Sequence, residues 1–133
     1  MSGTKQDYID YRILKSIELF EDAKLLALNQ RWNSSVNRLY YSSFQIISAL
    51  LYKNNIKADT HNGIKTQFNL HYIKPGIVSI EYGKLYSNLF AWRQESDYSD
   101  FIDFDEETVA PLINQVLEMN NFILDLTKRG TTI

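Results

Sequence analysis

The sequence predicts an all-α protein, an antiparallel up-and-down bundle of about five helices that forms a single domain over residues 1–133. Two observations lead to this prediction. Apolar residues recur at spacings of three and four along almost the whole chain, which is the period of helices that bury one face. Hydrophobic residues make up 44% of the chain, with only five glycines and two prolines, which favours a packed core over a disordered chain.

The first two helices are predicted from long apolar stripes. The stripe of the first helix consists of Ile9, Ile13, Ile17, Phe20 and Ala23 or Ala27. A break at residues 29–31 separates it from the second helix, which Asn33 or Ser34 would cap. Since the second helix is apolar over more than half of its circumference, we expect it at the centre of the bundle.

The remaining helices are shorter or interrupted. Asp59 or Thr60 would cap a third helix, which residues 75–76 (Pro-Gly) would end. A fourth helix follows, and residues 96–103 are predicted to be a loop. Asp105 is the expected N-cap of the last helix, in which Pro111 predicts a kink or a late start. The core is expected over about residues 5–127, with a frayed tail at 128–133.

The composition excludes several classes of protein. With no cysteine, the chain cannot be a disulfide scaffold, a Cys-ligated zinc protein or a thiol enzyme. The N-terminus is polar and carries both charge signs, unlike a signal peptide. The longest apolar stretch is too short to span a bilayer. We therefore expect a cytoplasmic protein that does not bind membranes.

No motif for a cofactor or a metal ion is present. The sequence contains no Gly-rich phosphate loop, no GxSxG and no HExxH. His61 and His71 are ten residues apart and would not share a helix face. The acidic run from Asp97 to Asp105 lacks the glycine and the closing glutamate of a calcium-binding loop. We predict neither a metal site nor a cofactor.

Two polar segments are candidates for function. On the second helix, Asn37, Arg38 and Tyr41 adjoin a buried stripe, either as a structural network or as a groove for phosphate or bases. At the end of the fourth helix, Arg93 precedes Asp97 by four residues. Arg93 would either pair with Asp97 or bind a phosphate with its guanidinium fork.

Three motifs in order resemble the HEPN domain: NRLYYSSF, THNGIKTQF and RQESDY. The similarity is closest to the small stand-alone prokaryotic branch, catalogued as an uncharacterised protein family, and it covers about residues 5–126. The resemblance implies a helical bundle that is commonly dimeric. Many HEPN proteins are RNA-cleaving toxins paired with a small nucleotidyltransferase antitoxin, and others are noncatalytic and bind nucleotides or RNA.

The resemblance also identifies a departure from the ribonuclease members, which carry an arginine followed after four to six residues by a histidine. Arg93 matches the arginine, but Asp97 and Tyr98 stand where the histidine is expected. A histidine exchanges protons near neutral pH, whereas an ordinary aspartate does so poorly. The resemblance therefore implies a noncatalytic module whose ligand-binding residues are Asn37, Arg38, Tyr41, Arg93, Asp97 and Tyr98.

This module would bind RNA, a nucleotide or a partner nucleotidyltransferase, in a toxin–antitoxin or defence-like system. One alternative is a metal-independent ribonuclease toxin in which Arg93 works with His61 or Asp97 as the proton-transfer residue. The other is a protein–protein adaptor with no nucleic-acid role. A homodimer is also expected, from the resemblance and because aromatic residues, 14% of this chain, are enriched at interfaces.

The net charge of −2 conceals two oppositely charged blocks. Residues 23–94 contain nine basic and two acidic side chains, a net charge of +7. Residues 95–133 contain two basic and nine acidic side chains, a net charge of −7. Such asymmetry favours contact with a polyanion or self-association, unless neighbouring helices of the bundle neutralise each other.

Overall fold

The structure, a computed structural model, describes residues 3–98 and 103–129, and of residues 94–98 it describes the backbone alone. Five α-helices and one short π-helical segment make up this part of the chain, and no strand occurs in it. The elements are α1 (Lys5–Leu28), α2 (Trp32–Lys53), α3 (His61–Phe68), the π segment (Asn69–Ile73), α4 (Ile80–Tyr98) and α5 (Glu106–Lys128). The predicted all-α bundle of about five helices is confirmed.

The second helix forms the centre of the bundle, as its wide apolar face predicts. It packs against α1, α3, α4 and α5. Twelve of its residues are buried, among them Leu39, Ile47 and Leu50. α2 is therefore the element around which the other described helices pack.

The first helix departs from the predicted stripe at one position, Ile17. Phe20 and Ala23 are buried as expected, but Ile17 is 50% exposed, and Ser16 is buried in its place. The Ser16 hydroxyl donates to the carbonyl of Ser42 in α2 at 2.7 Å, and the Ser42 hydroxyl donates back to the carbonyl of Ser16 at 2.7 Å. The prediction for Ile17 is wrong because two small serines let the helix backbones approach closely on the Ser16 face.

The capping predictions have mixed outcomes. Thr60 caps α3 by accepting from Gly63 N, and Asp105 caps α5 by accepting from Thr108 N. The predicted cap of α2 is wrong, because the helix begins at Trp32 and no side chain caps it. Asn33 instead accepts a hydrogen bond of 2.8 Å from the backbone N–H of Phe104, which ties the segment before α5 to the start of α2.

The region between α3 and α4 contains a feature that the periodicity does not reveal. The regular α3 ends at Phe68, and the chain continues through the π segment before Gly76, whose φ of 86° is left-handed. A Cβ on Gly83 would lie 3.1 Å from the side chain of Ile73. This glycine therefore allows α4 to pack closely against the π segment.

Two boundaries differ from the predictions. α4 extends to Tyr98, so residues 96–98 are helical and not loop, whereas residues 99–102 of the predicted loop lie outside the described residues. α5 begins at Glu106, so the late start predicted from Pro111 is wrong. α5 ends at Lys128, and residues 130–133 of the predicted tail also lie outside the described part.

Across residues 3–98 and 103–129, no helix is both long enough and apolar enough to cross a membrane.

Replacing Thr60 with alanine is expected to lower the free energy of unfolding by about 1 kcal/mol, the usual effect of losing an N-cap. The Thr60 hydroxyl accepts from Gly63 N at 2.8 Å, and this donor has no other helical partner. Urea unfolding followed by circular dichroism measures the change. Thr66→Ala, an exposed position within α3, is the matched control and should change stability by much less. Equal effects of the two substitutions would contradict the capping role.

Candidate functional site

Helices α2, α3 and α4 bring the side chains of His61 and Arg93 together on one buried tyrosine. Tyr40 of α2 is fully buried, and its hydroxyl shares a hydrogen bond of 2.8 Å with Nδ1 of His61, the first residue of α3. The guanidinium of Arg93, on α4, lies 5.4 Å from the centroid of the Tyr40 ring, a cation–π distance. The predicted candidates His61 and Arg93 therefore meet within one chain.

A second tyrosine also contacts the arginine. Nη1 of Arg93 donates to the hydroxyl of Tyr41 at 3.4 Å. The ring of Tyr41 also lies edge-on to the His61 imidazole, with 5.8 Å between centroids. Both Tyr41 and Arg93 are half-buried, so part of each side chain reaches the surface of the described structure.

Aromatic stacking fixes the plane of the imidazole. The ring of Phe44 stacks on His61 with centroids 4.4 Å apart and an interplanar angle of 28°. We name Tyr40, Tyr41, Phe44, His61 and Arg93 the His–Arg cluster. Because α2 contributes three of its five members at spacings that share a helix face, the central helix sets the geometry of the cluster.

Burial and the neighbouring cation alter proton affinities in the cluster. Burial lowers the pKa of His61 below 6.5, and the positive charge of Arg93 lowers that pKa further. Burial raises the pKa of Tyr40 above its ordinary value, so this phenol stays protonated at neutral pH. The cluster therefore combines a neutral imidazole, which can accept a proton, with a guanidinium, which can bind an anion.

The other predicted ligand residues stand in different relations to the cluster. Asn37 lies one helical turn before Tyr41 on the same side of α2, and its side-chain oxygen accepts a hydrogen bond of 2.6 Å from Arg38. Arg38 itself is exposed. Asp97 and Tyr98 occupy the last turn of α4, but their side chains lie outside the described residues. Their ligand-binding roles stay predictions.

Sequence reasoning did not identify Tyr40 and Phe44 as parts of this site. Both fit the apolar stripe of α2, and the stripe accounts for their burial. One signal was available for Tyr40, because a buried tyrosine usually finds a hydrogen-bond partner for its hydroxyl. That requirement pointed to a polar residue on a neighbouring helix, and the structure shows that this residue is His61.

The described side chains do not assemble a metal centre. Within residues 3–93 and 103–129, no group of three or more His, Cys, Asp or Glu residues is placed to hold a metal ion.

Among the described side chains, no ion pair connects the basic residues of the middle helices to α5. The ion pairs there are Lys15–Glu18 and Lys24–Glu21, both within α1. Lys65 of α3 lies 5.0 Å from the ring centroid of Phe90, which in turn packs edge-on against Tyr40. A lysine therefore lies close to the His–Arg cluster and adds to its positive charge.

The fold and the site define a small helical-bundle protein in which an arginine of α4 and a histidine of α3 contact a tyrosine of the central helix. The chain belongs to the HEPN family, since the model of the HEPN domain matches residues 9–126. It is 38% identical to the UPF0332 protein of Thermotoga maritima over 111 residues, which is 84% of either chain. The predicted family membership is confirmed.

Two archaeal relatives carry names that refer to toxins. "Putative toxin MJ0605" of Methanocaldococcus jannaschii is 30% identical and is matched over 68% of this chain and 71% of its own. "Putative toxin MJ0142" of the same organism is 27% identical, over 86% of this chain and 74% of its own.

Proposed function

We propose that this protein binds single-stranded RNA at the His–Arg cluster. The observation that carries the proposal is the convergence of Arg93, His61 and two tyrosines within one chain. Proteins recognise single-stranded RNA by placing cations against phosphates and aromatic rings against unstacked bases. The cluster offers both kinds of group, since Arg93, Tyr41 and Phe44 are half-buried, whereas Tyr40 is fully buried.

The distribution of charge supports an anionic ligand. Residues 23–94, which contain α2, α3 and most of α4, carry a net charge of +7. Among the described side chains, α5 forms no ion pair that neutralises them. A polyanion would release counterions on binding to such a surface, and this release supplies much of the affinity of nucleic-acid complexes.

Replacing Arg93 with alanine is expected to weaken RNA binding about tenfold or more. A hydrogen bond to a charged group contributes about 1.5–3 kcal/mol, and 1.4 kcal/mol corresponds to a factor of ten. Because one phosphate contact is lost, the slope of log affinity against log salt should become shallower by about 0.7. Fluorescence anisotropy of a labelled single-stranded RNA, measured at several salt concentrations, tests both expectations.

Arg31→Ala is the matched control for this experiment. Arg31 is exposed, and its side chain makes no capping hydrogen bond, yet its loss changes the net charge equally. The control should retain wild-type affinity and salt slope. Equal losses in the two variants would indicate a general charge effect and contradict a specific site at Arg93. A wild-type protein that binds no RNA would contradict the proposal and favour the adaptor alternative.

A second candidate function is metal-independent cleavage of RNA, and the position of His61 favours it. When Tyr40 accepts from Nδ1–H, Nε2 of His61 carries a lone pair that can remove a proton from a ribose 2′-hydroxyl. The 2′-oxygen then attacks the adjacent phosphorus, the bond to the 5′-oxygen breaks, and that oxygen takes up a proton from water. Arg93 would stabilise the negative charge that develops on the phosphate.

The assembly of the protein is also part of the proposal. We expect a homodimer, which the apolar side chains exposed on α1 and α5, such as Leu14, Ile17 and Leu117, support. We expect a nucleotidyltransferase as partner, in a toxin–antitoxin or defence-like system of the cytoplasm, because of the toxin-like relatives. Light scattering of the purified protein measures the oligomeric state directly.

A further inference from the structure

A separate pocket adjoins the His–Arg cluster, with a volume of about 380 Å³. It lies between α1, α2 and the segment that connects α2 to α3. Its lining includes Tyr8, Arg12, Phe44, Ser48, Tyr52 and Lys57. Phe44 belongs to both places, because its ring lines this pocket and also stacks on the imidazole of His61 at 4.4 Å.

A buried hydroxyl in this pocket lacks a partner. Ser48 is only 6% exposed, and its Oγ has no hydrogen-bond partner within the described residues. Buried polar groups are nearly always paired, and leaving one unpaired is costly. Since Ser48 lines the pocket, a polar atom of a bound ligand would satisfy this hydroxyl.

The remaining lining combines aromatic rings and two cations with aliphatic side chains and one carboxylate, that of Asp59. The rings of Tyr8 and Tyr52 contact each other with centroids 4.5 Å apart, and both are partly exposed. The guanidinium of Arg12 lies 5.0 Å from the Tyr8 ring centroid, and its Nε donates to the Tyr8 hydroxyl at 2.9 Å. Aromatic surfaces and a buried polar group suit a nucleobase, while Arg12 and Lys57 suit the phosphates beside it.

α2 connects the His–Arg cluster to the pocket. Tyr40, Phe44, Ser48 and Tyr52 follow one another at spacings of four residues, so each side chain neighbours the next along the helix. The eight residues from Tyr40 to Ser48 span about 12 Å along the helix axis. One strand of RNA is long enough to contact the pocket and Arg93 together.

We propose that this pocket is a nucleobase subsite, which holds a base of the same RNA strand whose phosphate lies at Arg93. The proposal rests on the proposed RNA binding and adds a second contact to it. It assigns recognition of the base to Tyr8, Tyr52 and the Ser48 hydroxyl. Arg12 and Lys57 contact the phosphates beside the base, and Arg93 binds the phosphate at the His–Arg cluster.

The test measures the affinity of Tyr52→Leu for two probes by fluorescence anisotropy. One probe is a short fluorescein-labelled single-stranded RNA, and the other is an abasic strand with the same backbone. Tyr52→Leu should weaken binding of the base-bearing RNA by at least about fivefold, the lower end of the effect of losing one base–aromatic stack. Its affinity for the abasic strand should equal that of the wild type, whereas Arg93→Ala should weaken both probes.

Two variants control for the fold and for the ring. Tyr52→Phe keeps the stacking surface and should retain wild-type affinity. Tyr11→Leu removes a tyrosine of α1 that is 56% exposed and does not line the pocket, and it should also bind normally. If Tyr52→Leu does not fold, as judged by circular dichroism, Tyr8→Leu replaces it with the same expectation.

The possible results separate this inference from the proposed function. Normal binding of base-bearing RNA by Tyr52→Leu, together with weakened binding by Arg93→Ala, would overturn the subsite and leave RNA binding intact. A wild-type protein that binds neither probe would overturn both. Binding of adenosine or uridine monophosphate as tightly as the strand would assign the pocket to a free nucleotide and overturn the strand subsite.

Discussion

In the second candidate function, replacing His61 with alanine is expected to lower the rate of RNA cleavage by about 100- to 10,000-fold, the contribution that a general acid or base makes to proton transfer. The imidazole would act there as the neutral base, and its pKa lies below 6.5. The remaining members would still bind RNA without removing the 2′-hydroxyl proton. Single-turnover cleavage of a fluorophore-quencher RNA, in excess EDTA, measures the rate.

The dependence of the cleavage rate on pH distinguishes a catalytic role of His61 from a merely structural one. A base acts in its neutral form, so the rate should rise as pH increases through the lowered pKa of His61 and be constant above it. Burial is the main cause of that lowered pKa, and the charge of Arg93 is the second. In Arg93→Ala, the residual activity should therefore have its midpoint at a higher pH, closer to 6.5.

Controls distinguish catalysis by His61 from a loss of folding. His71→Ala removes the other histidine, which is exposed on the π segment, and it should cleave RNA at the wild-type rate. A single 2′-deoxy nucleotide at the cleavage position should block the reaction, because the attacking oxygen is absent. Full activity in His61→Ala would contradict the assignment. If the wild-type protein cleaves no RNA even at high concentration, the module is noncatalytic.

Local patterns in the sequence predict the helices and some of their ends, but not how the helices meet. The caps at Thr60 and Asp105 were predictable because a cap depends on a hydrogen bond to the third residue that follows. His61 and Arg93 are 32 residues apart, and their convergence depends on how α3 and α4 pack on Tyr40. No spacing rule within one helix contains that information.

The burial of Ser16 in α1, where the sequence predicts Ile17, was unpredictable for the same reason. Hydrophobicity favours burial of Ile17, and its spacing from Ile13 and Phe20 fits the period of a helix. The serine is buried because reciprocal hydrogen bonds with Ser42 become possible once the two helices are close. A search for an apolar stripe therefore passes over polar residues that pair across helices. Their hydrogen bonds nevertheless help to decide which face is buried.

The same close contact extends to a buried asparagine of α5, which the sequence did not single out. Asn120 is 8% exposed. Its side-chain N–H donates to the hydroxyl of Ser42 at 3.0 Å, and its side-chain oxygen accepts from the hydroxyl of Ser43 at 2.8 Å. Since Ser42 also bonds to Ser16, one polar network connects α1, α2 and α5 inside the core.

Replacing Asn120 with alanine is expected to lower the free energy of unfolding by about 3 kcal/mol. The substitution removes two buried hydrogen bonds and leaves the hydroxyl of Ser43 without its acceptor, and each buried group left unpaired costs about 1–3 kcal/mol. Urea unfolding monitored by circular dichroism measures this loss. Asn121→Ala, the exposed neighbour on α5, is the control and should change stability by less than about 0.5 kcal/mol.

A double-mutant cycle separates the network from simple loss of volume. In the Asn120→Ala protein the Ser43 hydroxyl is left without its acceptor. Ser43→Ala should therefore lower the free energy of unfolding less in the Asn120→Ala protein than in the wild type. Strict additivity of the two substitutions would show that the hydroxyl and the carboxamide act independently. Coupling would instead establish that α2 is held to α5 by a specific polar contact, and since α2 carries Tyr40, Tyr41 and Phe44, that contact also helps to fix the position of the His–Arg cluster.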